Sequence, residues 1–313
     1  MNIWAGLSLT VHLSFCNHPL FMPQERSSMS EQYIDLHTHS TCSDGTLTPA
    51  ELVAYAAEKQ LSAIALTDHD TIAGIFEALE TAEHYGIELI PGLEFSTNHN
   101  GRDIHVLGLA IHWQDPQFLH DLKEFQDTRD LRNRKMIAKL QEYHIDITWE
   151  KMAAENPDAV WTRANFGRYL LNHGYVHTIK DAFTRYIGDD APCFVPREKV
   201  TPGQAVDLIH RAGGYAVLAH PMLYRLSEHD LDALVALLKT EHTLDGIEAI
   251  YSTYRWTDES RVRQLARKYA LCITGGSDFH GSNKPDIDLG TGRGNLQVPY
   301  ELWKHLQQNI VYH

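Results

Sequence analysis

A chain of 313 residues, 43% hydrophobic and 22% charged, is long enough for one large α/β domain or two medium ones and has the make-up of an ordinary globular protein. No apolar stretch is long enough to span a bilayer, and a net charge of −14 argues against broad, nonspecific nucleic-acid binding while leaving room for a phosphate held by a local basic cluster or by cations. Cys16, Cys42, Cys193 and Cys272 form no CxxC pair and no framework spacing, which points to a reducing, cytoplasmic setting; the odd count is twenty histidines.

Residues 1–28, "MNIWAGLSLTVHLSFCNHPLFMPQERSS", are apolar enough to suggest a secretory signal but have no basic start, and His12, Asn17 and His18 interrupt the run. They read as a poorly ordered extension ahead of a start at Met29. The stretch "YIDL" then alternates like a short strand and runs into "HTHSTCSDGT", with turn composition from Ser43 to Thr46. Residues i and i+2 of a strand share a face, so His37 and His39 point the same way. Next, Thr48, Pro49 and Glu51 spell a capping box opening a helix. "LSAIALTDHD" is a buried-looking strand ending in Asp68, His69 and Asp70, and "TIAGIFEALETAEHYG" a helix closed by glycine. "IELIPGLEFS" and "RDIHVLGLAI", joined across Asn100-Gly101, form a hairpin with Glu94 and His105 on neighbouring strands.

From about residue 115 to 200 the strand–helix alternation stops, and basic patches ("RDLRNRK", "WTRANFGRYL") appear in a mostly helical stretch, read as an insertion into a core of residues 29–114 and 201–313. Alternation resumes with helix "PGQAVDLIHRAG", strand "GYAVLAHP", a helix over about 227–240, strand "DGIEAIYS", helix "TDESRVRQLARKYA" and strand "LCITGGSDFHG". That order implies a parallel sheet, open or closed into a barrel.

His37 and His39, Asp68 and His69, Glu94, His220, and Asp278 with His280 all fall at or just past carboxyl ends of these strands, the edge where α/β folds build their sites. His105, inside its strand, is the exception. Each residue alone has an ordinary reading: His69 as part of a helix cap, Glu94 as a solvated strand end, His105 as a core histidine, "SDFHG" as a turn. Five strand ends supplying only His, Asp and Glu are harder to assign to chance. Imidazoles and carboxylates without thiolates suit Mn²⁺, Fe²⁺ or Zn²⁺, and the set exceeds what one tetrahedral ion uses. Two or three ions are implied, with Glu94 able to bridge.

"DLHTHSTCSDG", "ALTDHD", "PGLEFS", "IHVLG", "LAHP" and "SDFHG", in this order, resemble the polymerase and histidinol phosphatase (PHP) superfamily of metal-dependent phosphoesterases. Within it the chain is most similar to the bacterial group that acts on nucleoside 3′,5′-bisphosphates and, as ribonuclease AM, trims short RNA from the 5′ end. The resemblance implies a distorted (β/α)7 barrel holding three divalent ions, with manganese favoured and iron or zinc as alternatives. By motif, His37, His39, Glu94 and Asp278 surround one ion, and Asp44, His69 and His280 match ligands of a second. His105 and His220 join Glu94 around a third. Asp44 stands where some members carry histidine, which fits the bisphosphate group better than the histidinol phosphatase branch.

The implied chemistry is in-line attack on phosphorus by a metal-activated hydroxide. Asp68 is a candidate proton donor to the leaving oxygen, or a group orienting His69. Arg132, Asn133, Arg134 and Arg163 fall in stretches resembling the family's substrate-binding helices, where Arg forks suit a second phosphate or the next nucleotide. The partner implied is thus a nucleoside bisphosphate or short 5′-phosphorylated RNA, with no membrane and no stable protein partner. A histidinol phosphatase or other small phosphomonoesterase would use the same metals with a different insert. An amidohydrolase would need a metal-bridging lysine at a later strand end, for which there is no good candidate. A non-enzymatic PHP scaffold would be expected to have lost ligands.

Overall fold

The structure, a computed structural model, describes residues 31–196 and 200–309. Residues 1–31 and 32–313 separate into two units; the extension expected over 1–28 lies outside the described residues, and the fold is that of the second unit.

Strands β1 (Tyr33–Thr38), β2 (Ala63–Leu66), β3 (Glu88–His99), β4 (Arg102–Leu109), β5 (Tyr215–Leu218), β6 (Gly246–Tyr251) and β7 (Cys272–Gly276) pair in chain order, and β8 (Val298–Pro299) lies antiparallel to the start of β1. Just past β7 the chain returns to β1. The Asp278 amide donates to the His37 carbonyl at 2.9 Å and the His39 amide to the Phe279 carbonyl at 3.0 Å, so the sheet nearly closes into a barrel. Gly276 permits that approach, because a Cβ there would lie 2.4 Å from His37 Cβ.

Elsewhere among β1–β7 the strands are parallel, as the alternation of elements implies, but the expected hairpin sets β4 antiparallel to β3, and β4 runs antiparallel to β5 as well. The cause is local. Asn100 and Gly101 (φ 53° and 82°) make a two-residue turn with both residues left-handed, which reverses the chain at once instead of sending it through a crossover helix.

Around the strands, α1 (Pro49–Glu58) starts at the Thr48 capping box and α2 (Ile75–Tyr85) stops at left-handed Gly86, as their sequences direct. The stretch over residues 115–200, expected as an insertion, contains α3 (Pro116–Glu142), α4 (Trp149–Glu155), α5 (Arg163–Asn172) and α6 (Ile179–Ala182), which runs into a π-helical turn over Phe183–Ile187. Helices α7 (Pro202–Arg211), α8 (Glu228–His242) and α9 (Trp256–Lys268) alternate with β5, β6 and β7, and α10 (Tyr300–Asn309) follows β8.

Strand residues split by parity between two apolar clusters. Ile64 and Leu66, Ile104 and Val106, Ala216 and Leu218, and Ile247 and Ala249 pack with the outer helices through Leu52, Ile209, Leu234 and Val262. Their alternates, Ala63 and Ala65, Leu107 and Leu109, Val217 and Ala219, pack inside the barrel with Trp303 and Leu306 of α10, which plug one end. The insertion has a third cluster built on Met136, Leu140, Phe166 and Leu170. Helix α3 serves two of these cores. Phe118 and Leu122 at its start join the outer barrel cluster, whereas Met136, Ile137 and Leu140 near its end belong to the insertion. One continuous helix therefore carries the insertion as an extension of the barrel.

Candidate metal centre

The parity that fills the barrel also fills its open end. On β4, His105 shares the inward face with Leu107 and Leu109; on β3, Glu94 is out of phase with outward Leu93 and Phe95. The apparent exception at His105 follows from direction, because in antiparallel β4 an early position pairs with Ser96 and so lies beside the late positions of β3. On β1, Ile34 and Leu36 belong to the inner cluster, yet His37 and His39 also face inward. A register shift between Asp35 and Thr38 accounts for the change of phase. His220 and Asp278, both left-handed at φ 25° and 56°, turn the chain into the site just after β5 and β7.

All nine side chains singled out by motif meet here. Their donor atoms fall into overlapping groups that could hold cations: His39, Asp44, His69 and His280; His37, His39 and Glu94; His69, Glu94 and His105; and His37, His220 and Asp278. Glu94, 1% exposed, is central. Its Oε2 lies 3.3 Å from His37 Nε2, 3.3 Å from His39 Nε2 and 3.1 Å from His69 Nδ1, and its Oε1 lies 2.8 Å from His105 Nδ1 and 3.0 Å from His220 Nε2. Asp278 Oδ1 approaches both His37 and His39 Nε2, at 3.5 and 3.3 Å, and Asp44 Oδ1 is 3.2 Å from His280 Nε2. The tidy division into three separate ligand sets is thus not what the geometry shows: His39 also groups with Asp44, and His220 with His37 and Asp278, because the strand ends converge on one small volume.

The residues fit divalent cations on two counts. Donor atoms bound to one ion at about 2.0–2.2 Å stand roughly 3–3.5 Å apart, the spacing found around Glu94. Buried His37 Nε2, both nitrogens of His39, and His220 Nδ1 have no hydrogen-bond partner, a costly state for the interior unless something else is bound. Electrostatics agree. Burial would raise the Glu94 carboxyl, but His105, His69 and His37 hold it well below the usual range; Asp44 and Asp278 are held down likewise, chiefly by His280 and by Lys284. Burial takes His69 well below the ordinary histidine value. Burial also pulls on His37 and His39, yet Glu248, Glu94 and Asp278 outweigh it for His37, and contacts with Asp278 and Glu94 push His39 up to about 9. Ionised carboxylates thus surround His37 and His39, which they push towards protonation where a bound cation would otherwise supply the charge, while His69 and His280 are pushed the other way by burial.

Beside the cluster opens a cavity of about 290 Å³, whose lining includes Asp44, His69, His105 and His280 from the cluster and the apolar Ala164, Ile179 and Phe183. Arg129, Arg132, Arg163 and Lys284 also face it. Helix α5 ties this wall to the cluster, since its N-cap hydroxyl, on Thr162, donates to Asp44 Oδ2 at 2.6 Å and Asn165 Nδ2 donates to the Ser43 carbonyl.

Four of the remaining expectations change in detail. Asp68 neither touches the cavity nor orients His69: its oxygens accept from the Ser40 amide and hydroxyl (2.8 and 2.6 Å) and the Ser43 hydroxyl (2.5 Å), fastening the loop that carries Asp44. Asn133 is fully buried, donating to the Trp161 carbonyl and accepting from Arg132 Nε at 2.9 Å, so it steadies Arg132 from behind. Arg163 reaches the cavity but is bound to Asp103 at 2.8 Å and Asp189 at 2.6 Å. Arg134 is exposed and lies over the Trp149 ring, 4.0 Å from its centroid, away from the cavity, because α3 turns that position outward. Exposed cation–π contacts contribute only about 0.5–1 kcal/mol. Replacing Arg134 with alanine should therefore leave KM within about twofold of wild type in steady-state assays.

Glu248 belongs to none of the sequence motifs. On β6 it alternates with outward Ile247 and Ala249, is 0% exposed, and sits 3.0 Å from His37 Nδ1. The signal is nonetheless in the chain: a lone acid inside the apolar strand "GIEAIY" needs a partner.

Residues 35–281 match the PHP domain family. A 5′-3′ exoribonuclease, Rnm, of Salmonella typhimurium is 39% identical over 82% of this chain and 87% of its own length. A 3′,5′-nucleoside bisphosphate phosphatase of Chromobacterium violaceum is 30% identical over 89% of this chain and 98% of its own. Among solved structures, a protein of Bifidobacterium adolescentis assigned as a metal-dependent phosphoesterase superposes with a TM-score of 0.77 at 28% identity, covering 90% of this chain and 97% of that one.

Proposed function

The chain belongs to the PHP domain family, and on that premise we propose that it is a metal-dependent phosphoesterase acting on nucleoside 3′,5′-bisphosphates and on the 5′ end of short RNA. The observation that carries this reading is Glu94, a buried carboxylate with five imidazole nitrogens within 3.3 Å, two of whose histidine partners, His69 and His105, line a cavity faced by arginines. The ligands are His37, His39, Asp44, His69, Glu94, His105, His220, Asp278 and His280, holding three divalent cations, manganese first, with iron or zinc as alternatives. When bound, such cations activate water for in-line attack and neutralise charge developing on phosphoryl oxygens.

The chain's own groups supply the rest. Arg132 presents its guanidinium to the cavity with Nε anchored on Asn133, a fixed fork for a phosphate away from the cluster. Lys284, 2.5 Å from Asp278 Oδ2, holds an ammonium where the cluster meets the cavity, placed to meet the phosphate being cleaved. Ala164, Ile179 and Phe183 offer an apolar face suited to a nucleobase without reading its edge. One wall for a base, one fork for a distant phosphate and one cluster for the scissile phosphate describe a substrate with two phosphates on one nucleoside or a 5′-phosphorylated strand. The unpaired thiols of Cys42, Cys193 and Cys272 fit a cytoplasmic enzyme.

Protein loaded with Mn²⁺ is expected to release phosphate from 3′-phosphoadenosine 5′-phosphate, and mononucleotides from 5′-phosphorylated RNA faster than from 5′-hydroxyl RNA. A clear preference for histidinol phosphate would transfer the chain to the small-ester branch of the same family.

A further inference from the structure

We infer that Glu248 is a positioning residue for the cluster: it holds His37 as the Nδ1–H tautomer, so that Nε2 faces Glu94 and Asp278, and at the same time pins the backbone that carries His220. The two oxygens divide the task. Oε1 lies 3.0 Å from His37 Nδ1, and Oε2 accepts the His220 amide at 2.8 Å. A carboxylate can only accept, so the ring nitrogen facing Glu248 carries a proton, and with a cation on the Glu94 and Asp278 side the other nitrogen would be the one left to offer its lone pair. That other nitrogen, buried Nε2, has no hydrogen-bond partner and lies 3.3 Å from Glu94 Oε2 and 3.5 Å from Asp278 Oδ1.

The second contact supports a strained turn. His220 is a non-glycine residue at φ 25°, ψ 54°, a conformation that persists only where surrounding bonds enforce it. The amide bond to Glu248 Oε2 is such a restraint, and it stands the His220 ring against that of His37, with centroids 5.5 Å apart and planes within 19°. One fully buried side chain on β6 thus sets two imidazoles delivered by β1 and by the turn after β5. Glu248 is not in any of the cation-holding groups, so its effect must pass through the histidines.

This inference rests on the metal reading, and the test separates the two. Manganese binding is measured by equilibrium dialysis and elemental analysis for wild type, Glu248→Gln, and Leu238→Ala, a core-voiding control on α8. The carboxamide of Glu248→Gln keeps one acceptor oxygen for one of the two donors but must turn its NH₂ towards the other. Glu248→Gln is expected to bind Mn²⁺ about 10–100-fold more weakly, as when carboxylates behind ligating histidines are removed elsewhere. Leu238→Ala should melt earlier yet bind as wild type does. Equal affinity in Glu248→Gln, or an equal loss in Leu238→Ala, overturns the assignment; a wild type that retains no manganese overturns the metal reading instead. Should Glu248→Gln not fold, ¹⁵N-histidine spectra of zinc-loaded wild type decide the matter: a proton on His37 Nδ1 is expected, and one on Nε2 would contradict it.

Discussion

Replacing Glu94 by glutamine is expected to cut hydrolysis of 3′-phosphoadenosine 5′-phosphate at least about a hundredfold and to lower bound manganese, with the fold retained. The lower bound comes from metal sites in which loss of a group merely behind a ligand costs about 10–100-fold, and Glu94 stands in front. Its two oxygens approach the rings of His37, His39, His69, His105 and His220, which arrive from β1 and its end, from β4, and from the turns after β2 and β5. Glutamine keeps the volume but removes the charge and half the acceptors, so it leaves five imidazoles without the anion that organises them. The fold should survive because the apolar clusters inside and outside the barrel do not include residue 94. Circular dichroism and elemental analysis of the same preparation, alongside the phosphate assay, separate loss of metal from loss of structure. Full turnover with full metal content would remove Glu94 from the centre of the site and the phosphoesterase proposal with it.

What could be read from the chain alone divides along a physical line. Period-two alternation and strand ends are local properties, so they located His37, His39, His69, Glu94, His220, Asp278 and His280 near one edge, and the structure brings these side chains together. Strand direction is not local in the same way. The Asn100-Gly101 turn was visible, but its consequence, that β4 brings His105 to the ligand edge from the opposite side, needed the pairing of Ser96 with His105. Buried carboxylates were ambiguous for the same reason. Asp68 and Glu248 each satisfy their charge with partners 25 to 211 positions away, and only those partners reveal that one fastens a loop and the other faces His37. In the basic helix α3, spacing shows which residues share a face but not which face meets the barrel. Arg132 turned towards the cavity, whereas Arg134, two positions on, turned to Trp149.

The same helix carries the largest expected effect on stability. Arg129 is 2% exposed, and its Nε and NH2 lie 2.6 and 2.5 Å from Asp70 Oδ2; its NH1 donates to the Trp161 carbonyl of the insertion. Asp70, fully buried and left-handed at φ 50°, also accepts the Ser96 amide at 3.0 Å and receives Gln126 on its carbonyl. This ion pair joins α3 to the loop after β2, which Asp70 in turn bonds to the strand that bears Glu94, and it is buried too deeply for solvent to take over if one partner is lost. Arg129→Met should therefore destabilise the protein by roughly 3–5 kcal/mol, read from urea unfolding, since an unpaired carboxylate would remain in the core. Adding Asp70→Asn to that variant should recover part of the loss, because removing both charges deletes the desolvated anion along with its missing partner. Arg132 lies one turn further along α3, so the single variant should also bind substrate less well, whereas surface Arg134→Ala should not. If Arg129→Met unfolds at the wild-type urea concentration, the insertion is held to the barrel by its apolar contacts, and the pair serves only to shape the cavity wall.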